Sequence, residues 1–234
     1  MALPLYLAQT AAEMAGNPHS GQLAWMACHF SPGGSGLSNL PPWLPEGAML
    51  ILDDSYPIDG HDPAQILEQL AELIARHSCE SLLLDFQRPG LSCQQELAKL
   101  LVDSLPCPVG VSELYAHGLS CPVFLPPVPP DKQLSDYLQP WQGREIWLEA
   151  ALEGIALTLT ESGCTADPFL DFPENALTDK HLNCHYTIET GADSVIFHLW
   201  RTRADLENLL KEAEALNITK AIGLWQELGK EMIV

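Results

Sequence analysis

The chain has 234 residues, 47 % of them hydrophobic, which is enough for one α/β domain with a large core that needs no disulfide or metal staple. Asp and Glu number 31 against 11 Lys and Arg, a formal net charge of −20. Such a surface repels phosphate backbones and anionic lipid, so nucleic acid and membrane are excluded as expected partners, and a small polar ligand is favoured.

The start, Met1-Ala2-Leu3-Pro4-Leu5-Tyr6, has no basic region ahead of an apolar run and does not read as a signal peptide. Apolar runs at residues 3–9, 23–30 and 48–53 come first. Each is nearly continuous in Leu, Ile, Val or aromatics, as suits strands of a parallel sheet buried on both faces. None approaches the roughly 18 residues of a membrane span. Pro32-Gly33-Gly34-Ser35-Gly36 reads as a flexible loop, since it lacks the Lys of a phosphate-binding loop. Asp62 caps a helix with Pro63 in its first position, and Ile66, Leu67, Leu70, Leu73 and Ile74 form its apolar stripe. The next run is 81–87. Ser92 with Gln95 resembles a capping box ahead of Leu97, Leu100 and Leu101. Runs at 108–112 and 122–125 follow, then Pro126-Pro127-Val128-Pro129-Pro130 as a stiff connection. Asp131 opens a shorter helix with Leu134, Tyr137 and Leu138.

The rhythm then breaks. Ile146, Leu148 and Ala150 alternate, and so do Ile155, Leu157 and Leu159 beyond Glu153-Gly154, which is a hairpin pattern. A run at 194–200 follows. Thr202 opens the last long helix, with Leu206, Leu209, Leu210, Ala213 and Leu216 in register and Asn217 as its stop. The final run is 221–226. Strand–helix–strand units imply right-handed crossovers in a parallel sheet. The expected fold is a single α/β domain over residues 1–234, a TIM-type (β/α)8 barrel with an antiparallel hairpin insertion near 143–190. A doubly wound open sheet is the alternative. Seven cysteines at irregular spacing fit reduced thiols and a cytoplasmic location, with Cys28, Cys107, Cys121 and Cys184 as small core residues.

In an α/β barrel, ligands bind at the C-terminal ends of the strands. The polar residues there are His29, Asp53, Asp54, Asp85, Gln87, Glu113, His198 and Glu227. His181-Leu182-Asn183-Cys184-His185 gathers three ligand-type side chains but lacks the second pair of a zinc site, so neither metal nor cofactor is expected. Trp25, Trp43, Trp200 and Trp225 are the candidates to stack on a flat ligand face, and Trp43 stands on a loop.

Glu80-Ser81-Leu82-Leu83-Leu84-Asp85-Phe86-Gln87-Arg88-Pro89 resembles the signature strand of glycoside hydrolase family 18, the chitinase-like barrels, whose pattern is D-x-x-D-x-D-x-E. Glu80 takes the first Asp position and Leu83 the second. Asp85 matches the third, and Gln87 replaces the Glu. Gly223-Leu224-Trp225 resembles the family's last strand, whose Trp floors the sugar site. The family's Glu is the general acid, and an amide cannot replace it. The resemblance therefore implies a barrel that binds a carbohydrate or related small polar ligand without standard chitinase catalysis. Asp85 and Gln87 would hydrogen-bond that ligand while Trp225 stacks on it, with Asp53, Asp54, Glu227 and His29 nearby. If other carboxylates have taken over catalysis, Asp85 and Glu113 are the nearest pair. One alternative is an active hydrolase, with or without metal assistance, built on Asp53, Asp85, Glu113 and Glu227. Another is a non-catalytic interaction barrel with an apolar patch on its insertion.

Overall fold

In the computed structural model of the chain, the apolar runs form strands whose two faces are covered by different layers. The structure describes residues 3–16, 22–34 and 36–229. Met1 and Ala2 of the segment read for a signal peptide, and Ser35 of the glycine loop, lie outside them. The strands are β1 (Leu5–Gln9), β2 (Gln22–Phe30), β3 (Leu37–Ser38), β4 (Met49–Asp53), β5 (Ser81–Asp85), β6 (Val109–Ser112), β7 (Val123–Leu125), β8 (Ile146–Ala150), β9 (Gly154–Thr160), β10 (Gly163–Pro168), β11 (Leu177–Asp179), β12 (Cys184–Thr190), β13 (Ser194–Trp200) and β14 (Ile218–Leu224). The helices are α1 (Ala11–Gly16), α2 (Pro63–His77), α3 (Ser92–Ser104), α4 (Leu134–Leu138), α5 (Arg203–Ala213) and α6 (Trp225–Leu228).

Strands β1, β2, β4, β5, β6, β7, β8 and β14 pair in parallel in that order, and β1 pairs with both β2 and β14. The sheet thus closes on itself as an eight-stranded barrel, and the open-sheet alternative falls because closure leaves no free edge in the ring. The side-chain period of two sorts the residues. Leu50, Leu52, Leu82, Leu84, Ile146 and Leu148 point outward into the layer shared with the helices. Tyr6, Met49, Ile51, Leu83, Phe124, Trp147 and Ile222 point inward and fill the lumen. Gly110 makes room for the largest of them: a Cβ there would sit 2.2 Å from Cε3 of Trp147.

The helix signals are met unevenly. Asp62 caps α2 by accepting from the Ala64 amide at 2.9 Å, and Pro63 is its first residue. Thr202 and Asp205 form a reciprocal capping box on α5, but that helix stops at Ala213, so Leu216 and Asn217 lie beyond it. The capping box expected at Ser92 does not form. Leu91 is the cap residue of α3, no side chain caps it, and the Gln95 amide donates instead to the Tyr115 carbonyl at 3.1 Å. Helix α4 begins at Leu134, after Asp131.

Between β8 and α5 the chain leaves the barrel and builds a separate antiparallel sheet, ordered β10-β9-β13-β12-β11. The insertion is real, but its position differs from the expected 143–190. Its sheet begins at Gly154 and ends at Trp200, and the run at 194–200 is one of its strands. The alternating residues Ile146, Leu148 and Ala150, read as one arm of a hairpin, instead belong to β8, which sits between β7 and β14 in the barrel. At the root of the excursion Gly154 pairs with Trp200, and the Arg201 amide donates to the Glu153 carbonyl at 3.1 Å. The buried Arg201 guanidinium then ties the insertion to the barrel. It donates to the carbonyls of Val128, Pro129, Leu182 and Asn183, filling acceptors that the proline run cannot satisfy with its own amides. Leu159, Leu170, Leu177 and Ile188 of the insertion are exposed. Trp200 is buried and stacks on the exposed Phe172.

All seven cysteines are free thiols; Cys28 and Cys184 are buried, Cys107 and Cys121 half-buried. No helix among the described residues is long and apolar enough to cross a membrane.

Candidate functional site

The inward-facing register explains how the site arises. On three strands the residue before the C-terminal end is a large apolar group and the next inward position is an acid: Ile51 then Asp53, Leu83 then Asp85, Trp147 then Glu149. The apolar layer seals the lumen beneath, and the acids stand in the mouth above it. Asp53 and Asp85 are register partners on β4 and β5, and Glu149 is the register partner of Ile222 on β14. The three carboxyls line a pocket of about 100 Å³ whose remaining wall includes Ala8, Met26, Gly223 and Leu224.

The opposite end of the lumen is closed. Tyr6 donates to the Glu80 carboxylate, and Lys220 pairs with the same group while donating to Ser81 Oγ at 3.2 Å. The Lys220 ammonium lies 4.7 Å from the Tyr6 ring centroid and 5.2 Å from that of Trp147, within cation–π range. Burial works to raise the Glu80 carboxyl, but hydrogen bonds from Lys220 and Tyr6 outweigh it and hold the group below its ordinary range. Glu80, the first position of the signature pattern, is therefore part of the barrel floor. Leu83, the second, belongs to the apolar layer.

The residues named from sequence divide into groups. Asp53 is in the pocket; it accepts from the Ser55 amide at 2.9 Å, and its other oxygen lies 2.6 Å from His29 Nδ1. His29 is thus held against Asp53 at the rim. Asp85 is in the pocket and accepts a hydrogen bond from the Gln87 amide. Burial raises the Asp85 carboxyl, the Gln87 bond lowers it, and the charges of Asp53 and Asp54 raise it; the net direction is upward. Gln87 and Glu113 line a neighbouring pocket of about 220 Å³ with Phe86, Ser112 and Phe124. Glu149 is the one residue that lines both pockets.

Three named residues are engaged elsewhere. Asp54 is buried, and its carboxylate accepts from the Gln87 amide nitrogen at 2.9 Å, the Arg88 amide nitrogen at 3.0 Å and the Gln94 side chain at 2.6 Å. It fixes the loop after β5 and is not among the residues lining either mouth pocket. Glu227, on α6, accepts from the Leu152 amide and lines a different cavity beside the insertion. Trp225 opens α6 with its ring against the backbone of Gly229, where a Cβ would have no space, and the residue at the mouth is Leu224. So Asp53, Asp85, Glu113 and Glu227 do not converge on one point. Trp25 is buried, donating to the Asn39 carbonyl at 3.1 Å, and Trp43 is exposed. His185 binds Asp205 at 2.7 Å, and His198 stacks on Phe169. No group of three or more His, Cys, Asp or Glu side chains is placed to hold a metal ion among the described residues.

Glu149 is the site residue that sequence reasoning missed. Burial, then the negative charges of Asp85, Glu153 and Glu227, push its carboxyl up to about 7. No hydrogen bond reaches that carboxyl from the described residues. The two acids facing each other across the mouth therefore differ in environment: Asp85 has an amide donor that favours its charged form, and Glu149 has none.

No family model matches the sequence, and no curated protein matches it. Solved structures do. A chitinase of glycoside hydrolase family 18 from Cycas revoluta, in complex with (GlcNAc)4, superposes with a TM-score of 0.58 at 11 % identity, covering 94 % of each chain. The fold is that of the family 18 chitinases. The spore cortex-lytic enzyme SleL of Bacillus cereus superposes with a TM-score of 0.56 at 11 % identity, over 96 % of this chain and 71 % of that one. The chitinase of Chromobacterium violaceum gives 0.53 at 11 % identity, over 95 % and 93 %. Each match spans the chitinase-like barrel of this chain together with its insertion.

Proposed function

We propose that the chain is a glycoside-hydrolase-like barrel whose mouth binds a carbohydrate built from N-acetylated amino sugars, and that it does so without the family's usual acid. The observation that carries this reading is the grouping of Asp53, Asp85 and Gln87 at neighbouring strand ends above a sealed apolar lumen. Carboxylates and amides at the rim of a concave apolar site are the acceptors and donors that sugar hydroxyl and acetamido groups require. The fold supports the ligand class, since chitinases of this fold are described in complex with (GlcNAc)3 and (GlcNAc)4. The (GlcNAc)4 complex is of a variant that includes a Glu-to-Gln substitution, so an amide introduced into this fold is compatible with a bound oligosaccharide. In this chain Gln87 stands where the signature pattern has Glu, and its amide is tied to Asp85. It can orient and donate, and it has no proton to give a leaving group.

Titration calorimetry with the trisaccharide and tetrasaccharide of N-acetylglucosamine tests the reading. Binding is expected, and Asp85→Ala should weaken it at least about tenfold, the loss of one charge-assisted hydrogen bond of roughly 1.5–3 kcal/mol. No heat from either oligosaccharide at millimolar concentration overturns it.

A further inference from the structure

Among the residues that line the two mouth pockets, Glu149 is common to both. An oligosaccharide lying across the mouth would put one ring toward Asp53 and Asp85 and the next toward Gln87 and Glu113. The atom that bridges two rings is the glycosidic oxygen, and it would pass over the shared residue. We infer that Glu149 is the proton donor to that oxygen, so that the barrel cleaves a glycosidic bond with an acid on β8 in place of the amide-substituted position on β5. The inference rests on the carbohydrate reading above.

The step balances with water as the co-reactant. The Glu149 O–H proton moves to the bridging oxygen as the C1–O bond breaks, and the bonding pair stays on that oxygen, which leaves as an alcohol. The positive charge that develops at C1 faces the Asp85 carboxyl, whose charged form the Gln87 donor favours. Water adds to C1, and its proton returns to the Glu149 carboxylate. One glycoside and one water give two hydroxyl-bearing sugars. Such chemistry needs two carboxyl groups whose environments drive their protonation states apart. The titratable groups that share a pocket with Glu149 or interact with its charge are Asp85 on β5, Asp53 on β4, Glu113 after β6, the Tyr137 hydroxyl on α4, Glu153 beyond β8 and Glu227 on α6. All are acidic or phenolic. Arg201 is the cation whose field reaches Glu153.

The test uses the full chain and two substrates, the tetrasaccharide of N-acetylglucosamine and a 2,4-dinitrophenyl glycoside of the disaccharide. The wild-type protein should cleave the tetrasaccharide, with a rate that falls as pH rises through about 7, where Glu149 loses its proton. Glu149→Gln should lower that rate by about 10²–10⁴-fold, the usual contribution of a general acid. In a single turnover with protein in excess, the same variant should release dinitrophenolate within about tenfold of the wild-type rate, because that leaving group needs no proton. Turnover of the activated substrate also shows that the variant is folded. Wild-type protein that binds the oligosaccharide and does not cleave it overturns the inference and leaves the binding reading intact. So does Glu149→Gln protein that cleaves the tetrasaccharide at the wild-type rate. Absence of binding removes both.

Discussion

Replacing Glu149 with Gln exchanges a half-buried carboxyl for a neutral group of nearly the same shape, and the result for stability should depend on pH. In the folded chain this carboxyl titrates near 7, against 4.5 for a free one. A tenfold change in proton affinity is worth about 1.36 kcal/mol, so the charged form is disfavoured by roughly 3 kcal/mol, or about 2 kcal/mol once partial exposure to water is discounted. The raised value fixes the sign. Below the unfolded value Glu149 is neutral in both states and costs nothing. Between about 4.5 and 7 the unfolded chain releases the proton first, so stability falls as pH rises, and above about 7 the whole penalty is present. Urea unfolding of wild type and variant at pH 4 and pH 8 measures the difference directly. Groups that titrate alike in both proteins cancel in the comparison. The two should agree within about 0.5 kcal/mol at pH 4, and the Gln variant should be more stable by about 2 kcal/mol at pH 8, or roughly 4–8 °C in Tm for a chain of this size. Equal stabilities at pH 8, or a wild type that gains on the variant as pH rises, would refute the argument.

Three other perturbations follow from the packing. Gln87→Glu should raise oligosaccharide cleavage at least about tenfold by restoring a carboxyl beside Asp85; unchanged turnover in the same assay would break the alignment of residues 80, 83, 85 and 87 with the family pattern. Arg201→Met strands four carbonyl acceptors and should cost about 3–5 kcal/mol by denaturant unfolding, with Arg201→Lys recovering only part because one ammonium cannot reach them all. Gly110→Ala drives a methyl into the Trp147 ring and should cost about 1–3 kcal/mol, read by thermal unfolding; the same change made in a Trp147→Leu background should cost less, and equal costs in the two backgrounds would clear the ring of blame.

The barrel was legible because its signals are local. A strand buried on both faces is continuous in Leu, Ile and Val wherever it is read, and the Asp62-Pro63 and Thr202–Asp205 caps are made by neighbours in the chain. The site was only half legible. Asp53 and Asp85 end obvious apolar runs, so their place at a strand terminus could be inferred from the sequence. Glu149 stands inside Ile146-Trp147-Leu148-Glu149-Ala150, and alternation alone cannot say what the second face of a strand looks at. Read as a hairpin arm, that face meets water; in the barrel it meets the lumen, and Trp147 with Glu149 becomes the apolar-then-acid pair found on β4 and β5. That repeated pair was the available signal. Asp54, Trp225 and Glu227 were misleading for the opposite reason. Each stands next to a strand end in the chain, yet each is claimed by a nearby backbone segment, which a single sequence does not reveal.

The root of the insertion has a further meaning. Because Gly154 pairs with Trp200 and the Arg201 amide meets the Glu153 carbonyl, the second sheet leaves and re-enters the barrel at one point. Topologically it is a bud on a stem. The two ends of the excursion are already hydrogen-bonded neighbours, so a short turn could join β8 to α5 in its place, at the cost of the contacts that Arg201 and α5 make with Leu182, Asn183 and His185. The acids of the mouth stand on strands of the ring, and the bud supplies residues of the cavity beside them. In such an architecture the rim can diversify at a pace of its own, and the ring beneath it stays fixed.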